Sequence, residues 1–188
     1  MNEQQEAYAR AVADFTEKVH AIGPEQWTNP TPCTEWDVRA LVNHLTYENL
    51  WVPELIGGRT VAEVGDRFDG DVLGDDPVDA WDRSAKGAVE ALTADGALDR
   101  TVDTSAGPTP ASDYLDQIFV DAVIHGWDLA RGTNAEDTIR EEFADELFSA
   151  YGPREAELRS YGVYGSTVVP PDGANTQTKL LAVFGRVQ

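Results

Sequence analysis

Five stretches of this chain repeat their apolar residues every three or four positions, and glycine or proline closes most of them. A 3.6-residue period gathers such residues into one stripe, and a helix with one apolar stripe must bury it against other helices or a sheet. The first stretch, Asn2 to about Ala21, puts Ala7, Ala11, Val12, Phe15 and Val19 on the stripe, and Gly23 and Pro24 stop it. The second runs from Glu35 to about Ile56, with Val38, Leu41, Val42 and Leu45 inside. Thr34 and Asp37 give it a capping-box-like start, and Gly57 and Gly58 end it. The third opens on Asp76–Pro77 as N-cap and first turn and reaches about Thr93, burying Val78, Trp81, Ala85, Ala88, Val89 and Leu92. The fourth spans Ser112 to Gly132, with Asp113 and Asp116 in its first turn and Arg131 in its last, as the helix dipole favours. The fifth, about Glu136 to Tyr151, carries Ile139, Phe143 and Leu147 on one side. Strand signals are weak throughout, so the expected fold class is all-α. The 188 residues fit one domain, 1–188.

The connectors are legible in part. Pro30 and Pro32 hold the Trp27–Cys33 segment in extended geometry. Arg59 to Asp76 reads as an irregular loop with one short helical turn, and loops of that length inside a domain are usually functional or cover something. Asp95 to Pro110 reads as a polar loop. The tail from Tyr161 onward reads as mostly irregular, with a last helical turn at Lys179–Phe184.

Charge narrows the partners. Acidic residues number 34 against 14 basic ones, a formal net charge of −20. Such a surface repels phosphate backbones and anionic lipid, so neither nucleic acid nor a membrane surface is an expected partner. The single cysteine, Cys33, rules out an internal disulfide. No signal-peptide pattern and no run of about 18 apolar residues is present, so the expected location is cytoplasmic.

Chemistry concentrates on the second and fourth helices. Asp121 and His125 are four residues apart, one above the other on the face that also carries Ile118, Ala122 and Leu129. An inward carboxylate and imidazole each need a partner. A divalent metal satisfies both, and a buried Asp–His hydrogen bond does so as well. His44 lies beside the inner stripe of the second helix, one turn from Leu41, and bundle interiors are where helix-borne ligands converge. Two imidazoles and one carboxylate, His44, Asp121 and His125, leave coordination positions open, as catalytic zinc sites do, while nickel or iron accepts the same donors. Glu48 and Asp128 are candidate acceptors supporting those ligands, and solvated charges otherwise. His20 ends the first helix and suits a structural role there. Cys33 reads as a packing residue, or as a thiol nucleophile should local positive charge lower its pKa.

The segments PTPCTEWDVRALVNHL, GDRFDGDVLGDDP, DAVIHGWDLARG and GSTVVPPDGANTQTKLLAVFGR resemble actinobacterial metal-binding proteins of the DinB-like superfamily. The resemblance is closest to the group related to the metal-binding domain of mycothiol-dependent maleylpyruvate isomerase. It implies a four-helix bundle with extra short helices and long loops. It also implies a divalent metal, usually zinc or nickel, on a second-helix histidine and a later acid-x3-histidine pair, which fall on His44, Asp121 and His125. Mycothiol is the implied cosubstrate, in an isomerase or S-transferase type of reaction with a small electrophile. Relatives commonly have glutamate where this chain has Asp121. They also carry a further C-terminal domain for which 188 residues leave no room, so the isomerase reaction itself is not expected. The alternative is a non-catalytic metal-binding or sensing bundle, as a homodimer.

Overall fold

A reciprocal cap starts the first helix, α1 (Glu3–His20): the Asn2 side chain accepts from the Gln5 N–H at 2.9 Å, and the Gln5 side chain accepts from the Asn2 N–H at 2.9 Å. A computed structural model describes residues 1–160 and 168–188. By internal contacts the chain divides into two compact units, Met1–Thr133 and Asn134–Gln188.

The second helix, α2 (Val38–Ile56), starts later than the expected Glu35. Thr34 does not cap it; Asp37 does, accepting from the Ala40 N–H at 2.8 Å. The Pro-rich segment imposes the delay. It holds the chain extended and pairs it back on itself, with the Val38 N–H donating to Asn29 O at 3.0 Å and the Arg39 N–H to Trp27 O at 2.8 Å. The single turn α3 (Val61–Val64) sits on a Thr60 cap inside the expected loop. The helix α4 (Pro77–Thr93) has the expected bounds, and α5 (Ala111–Thr133) matches to within a residue at each end. Asn134, at φ 56°, turns the chain out of α5.

Part of the expected 95–110 loop is a hairpin of β1 (Thr101–Thr104) and β2 (Gly107–Pro110), antiparallel with Thr101 opposite Pro110. Strands of four residues are too short for alternation to register, and Pro108 and Pro110 argue against a strand. They are tolerated because both strands of a two-stranded ribbon are edges.

Helix α1 packs against α4 and α5, and α2 packs against the same two. Side-chain pairings give the directions. Gln5 donates to Leu92 O and Trp81 Nε1 to Thr16, so α1 and α4 are antiparallel. Gln4 reaches Ser112 O, and Gly126 lies on Phe15, so α1 and α5 are parallel. Val38 lies on Gly132 and His44 on His125, so α2 and α5 are antiparallel. The bundle therefore runs up-down-down-up, with α2 and α4 parallel.

That topology explains the long 57–76 connection, which must carry the chain back along α2 before α4 can begin. Its anchors descend in order: Arg59 and Arg67 pair with Glu54, Phe68 meets Trp51 at 5.9 Å, Gly70 and Val72 bond Asn43, and Asp71 and Gly74 bond Arg39. Between the helices lie Trp81 and Phe15, rings 4.5 Å apart, with Tyr8, Phe119, Leu41, Leu92 and Leu115.

In the second unit α6 (Glu141–Tyr151) starts later than the expected Glu136, because the backbone before it is bound otherwise: the Ile139 N–H donates to Gln177 Oε1 at 2.8 Å. The helix α7 (Glu155–Ser160) was not anticipated, and α8 (Thr176–Val183), capped by Asn175, begins before the expected Lys179. Phe143, Leu147, Leu158 and Leu180–Phe184 supply buried apolar surface here. The irregular tail expected over residues 161–167 lies outside the described residues. Among the described residues, no helix is long and apolar enough to cross a membrane.

Candidate metal centre

Glycine at position 132 lets α2 and α5 approach closely: a Cβ there would lie 2.9 Å from Val38 Cγ2 and 3.1 Å from Thr31 Cγ2. Six residues further along α2 and seven back along α5, the two imidazoles meet. The His44 and His125 rings are 5.5 Å apart and nearly perpendicular. Trp36, from the turn before α2, lies across both, 4.5 Å from His44 and 5.5 Å from His125. Spacing had not singled out Trp36; its place in the PTPCTEW motif was the available signal.

His125 is held by Asp128. The carboxylate accepts from Nδ1 at 3.0 Å and is 0% exposed, so water does not compete for this bond. A ring that donates through Nδ1 keeps the Nε2 lone pair for a further partner, the way metal-bound histidines are commonly oriented. Burial, followed by the charge of His125, lowers the His44 pKa to about 4. His44 is therefore neutral at physiological pH and has a lone pair to offer.

One helical turn away stands a second pair. Asp121 precedes His125 by one turn on α5, and Glu48 follows His44 by one turn on α2. Burial, followed by the charge of Asp121, raises the Glu48 pKa to about 7. The Tyr114 hydroxyl is buried and without a hydrogen-bond partner. Its pKa is raised by burial first, and then by Glu48, Tyr8, Asp121 and Tyr47.

Cys33 comes closer than its sequence reading implied. Among the described residues, donor atoms of Cys33, His125 and Asp128 lie within 4.8 Å of one another, a combination that could hold a metal ion and that helix spacing could not reveal. His20, at the end of α1, is not part of this group: its exposed Nε2 lies 2.8 Å from Asp82 Oδ1. The structure thus brings His44 and His125 together, sets Asp121 a turn away beside Glu48, and adds Cys33, Trp36 and Asp128 around His125. Among the described residues, the thiol of Cys33, the imidazole of His125 and the carboxylate of Asp128 are donors that zinc, nickel and iron accept, and they lie close enough together to hold a divalent ion.

Residues 8–130 match the family described as the mycothiol maleylpyruvate isomerase N-terminal domain. The chain belongs to that family. Its matched span covers α2, α4 and nearly all of α5, and so His44, Asp121, His125 and Asp128. Two uncharacterized proteins, from two strains of Mycobacterium tuberculosis, are each 27% identical over 144 residues, covering 77% of this chain and 75% of the relative. No solved structure matches.

Proposed function

We propose that this chain binds one divalent metal ion through His44, Asp121 and His125 and uses it to activate a low-molecular-weight thiol, mycothiol by family, in an S-transferase or isomerase type of reaction. The observation that carries this reading is the anchored His125, with Nδ1 fixed on buried Asp128 beside a neutral His44 imidazole. A bound metal supplies a positive centre that lowers the pKa of a thiol on it. The chain's own groups then have distinct tasks. Asp128 fixes the His125 tautomer, burial keeps His44 unprotonated, and Trp36 packs against both rings.

Metal analysis of tag-free protein tests the first half: about one zinc, nickel or iron per chain is expected, and none in His125→Ala. Mixing metal-loaded protein with mycothiol and a panel of electrophiles tests the second. Conjugation rates equal to those of His125→Ala would remove the enzyme reading and leave a non-catalytic metal protein.

A second donor set is favoured by one observation, the proximity of Cys33 to His125 and Asp128. Metal held there needs Asp128 as a ligand rather than as an acceptor from Nδ1, so it competes with the hydrogen bond just described. Cys33→Ser separates the two. On the His44–Asp121–His125 set the cobalt-substituted variant keeps its spectrum, whereas loss of a sulfur-to-cobalt charge-transfer band would favour the thiol set.

A further inference from the structure

Two phenol hydroxyls end inside the first unit without a protein partner. Tyr8 on α1 is 1% exposed and Tyr114 on α5 is 5% exposed, and neither hydroxyl finds a hydrogen-bond partner among the protein's groups. The two helices are parallel, and the Gln4 side chain donates to Ser112 O at 2.9 Å. Tyr8 comes one turn past Gln4 and Tyr114 two residues past Ser112, so both side chains start at nearly the same level of the bundle. Tyr8 shares a stripe with Ala11 and Phe15, and Tyr114 one with Ala111 and Ile118, all of them buried. The charge of Tyr8 also bears on Tyr114, which agrees with this placement.

We propose that Tyr8 and Tyr114 are the donor pair of a binding site between α1 and α5 that takes a small neutral ligand by its carbonyl oxygen. The inference goes beyond the metal-binding reading and does not rest on it. A buried donor left unpaired destabilises a fold, and phenylalanine fills the same shape without that cost. Two such donors at one level, with apolar residues along both stripes, call for an acceptor that the protein does not supply. Apolar walls with a few convergent polar groups are the usual make-up of a small-molecule site. Burial raises the pKa of both phenols, so each keeps its proton and donates. Charge selects the acceptor. Asp121 follows Tyr114 by two turns on the same face of α5, and the chain carries a net charge of −20, so an anionic ligand is disfavoured. A neutral carbonyl oxygen has two lone pairs and accepts from both hydroxyls at once.

The test is a cyclohexanone titration of the full chain, followed by ligand-observed NMR and by the infrared carbonyl stretch, for the wild type, Tyr8→Phe, Tyr114→Phe and His125→Ala. Melting curves are taken with and without the ketone. Each Phe variant is expected to bind about 10-fold more weakly, the loss of one hydrogen bond, and to return the carbonyl stretch of the bound ketone toward higher wavenumber. Without ketone, each should melt no lower than the wild type, because it loses only an unpaired donor. His125→Ala should bind cyclohexanone as the wild type does. A wild type that binds no ketone, or Phe variants that bind it equally well, overturns the inference. So does weaker binding with an unchanged carbonyl stretch. A Phe variant that melts below the wild type without ketone also overturns it, since the hydroxyl is then already bonded within the fold, as it would be to a fixed water. Binding weakened as much in His125→Ala places the ketone at the histidine pair and overturns it too.

Discussion

Replacing Asp128 with asparagine separates a supporting group from a ligand. The amide has nearly the shape of the carboxylate and still offers an oxygen to the His125 Nδ1–H, but it carries no charge. Asp128 is 0% exposed and 3.0 Å from Nδ1, so the full electrostatic value of the bond is at stake and no solvent replaces it. Hydrogen bonds to charged groups contribute about 1.5–3 kcal/mol, and groups behind a metal ligand change affinity by about 10–100-fold. At about 1.4 kcal/mol per factor of ten, that range is about 1.4–2.8 kcal/mol, so the two scales agree. The expected result for Asp128→Asn is therefore cobalt binding weakened by about 10–100-fold, with the spectrum of the bound ion retained. Competition against a chromogenic chelator measures the first quantity and visible absorption the second. Unchanged affinity would refute the role of Asp128 in orienting His125. Complete loss of binding would refute the ligand set and move the metal to Cys33, His125 and Asp128.

Further outcomes follow from packing and from charge. Gly132→Ala should destabilise the first unit by about 0–2 kcal/mol, because overpacking against Val38, Thr31 and Pro30 costs about 1–3 kcal/mol and the helix gains about 1. Gly87→Ala on α4, where a Cβ meets nothing within 4 Å, should stabilise by up to about 1 kcal/mol, and urea unfolding checks the opposite signs. In metal-free protein, His44 at about 4 against 6.5 unfolded lets the unfolded chain hold the extra proton, so stability falls as pH drops from 6.5 to 4. Glu48 at about 7 against 4.5 lets the folded chain hold it, so stability falls as pH rises from 4.5 to 7. These slopes oppose one another over their common range. His44→Gln should unmask a loss of stability with rising pH and Glu48→Gln a gain, each at most about 1.4 kcal/mol per pH unit; identical profiles in chelator-treated wild type and variants would refute the pairing.

What the sequence disclosed and what it withheld divide along a physical line. Helices with one clean stripe and a strong stop, such as α1 and α4, were legible almost to the residue, because burial and capping are local properties. The start of α2 was not. Thr34 and Asp37 both suit an N-cap, and the choice falls to Asp37 through backbone bonds from Asn29 and Trp27, which spacing does not contain. The 101–110 hairpin escaped because two four-residue strands with prolines show no alternation. Among the site residues, His44 and His125 were legible as inward groups, whereas spacing left Asp128 open between an acceptor and a solvated charge, and its burial against His125 Nδ1 decides for the acceptor. The approach of Cys33 and Trp36 to His125 was hidden, because it depends on how the Pro-rich segment folds over the end of α5.

The direction of α2 against α5 decides which residues face one another, and no helix spacing carries that information. Were the two helices parallel, the contact of His44 with His125 would set Glu48 beside Leu129, a fully buried apolar residue, and Asp121 beside Ala40. The histidines would then meet without carboxylates at the next turn. The antiparallel arrangement follows from the up-down-down-up order, which in turn requires the 57–76 segment to return along α2. That segment looked like a functional loop from its length alone. Its anchors at Glu54, Trp51, Asn43 and Arg39 give it a more basic task, since the crossover lets α2 lie antiparallel to α5. Shortening it, even far from any ligand, would remove the topology on which the site depends.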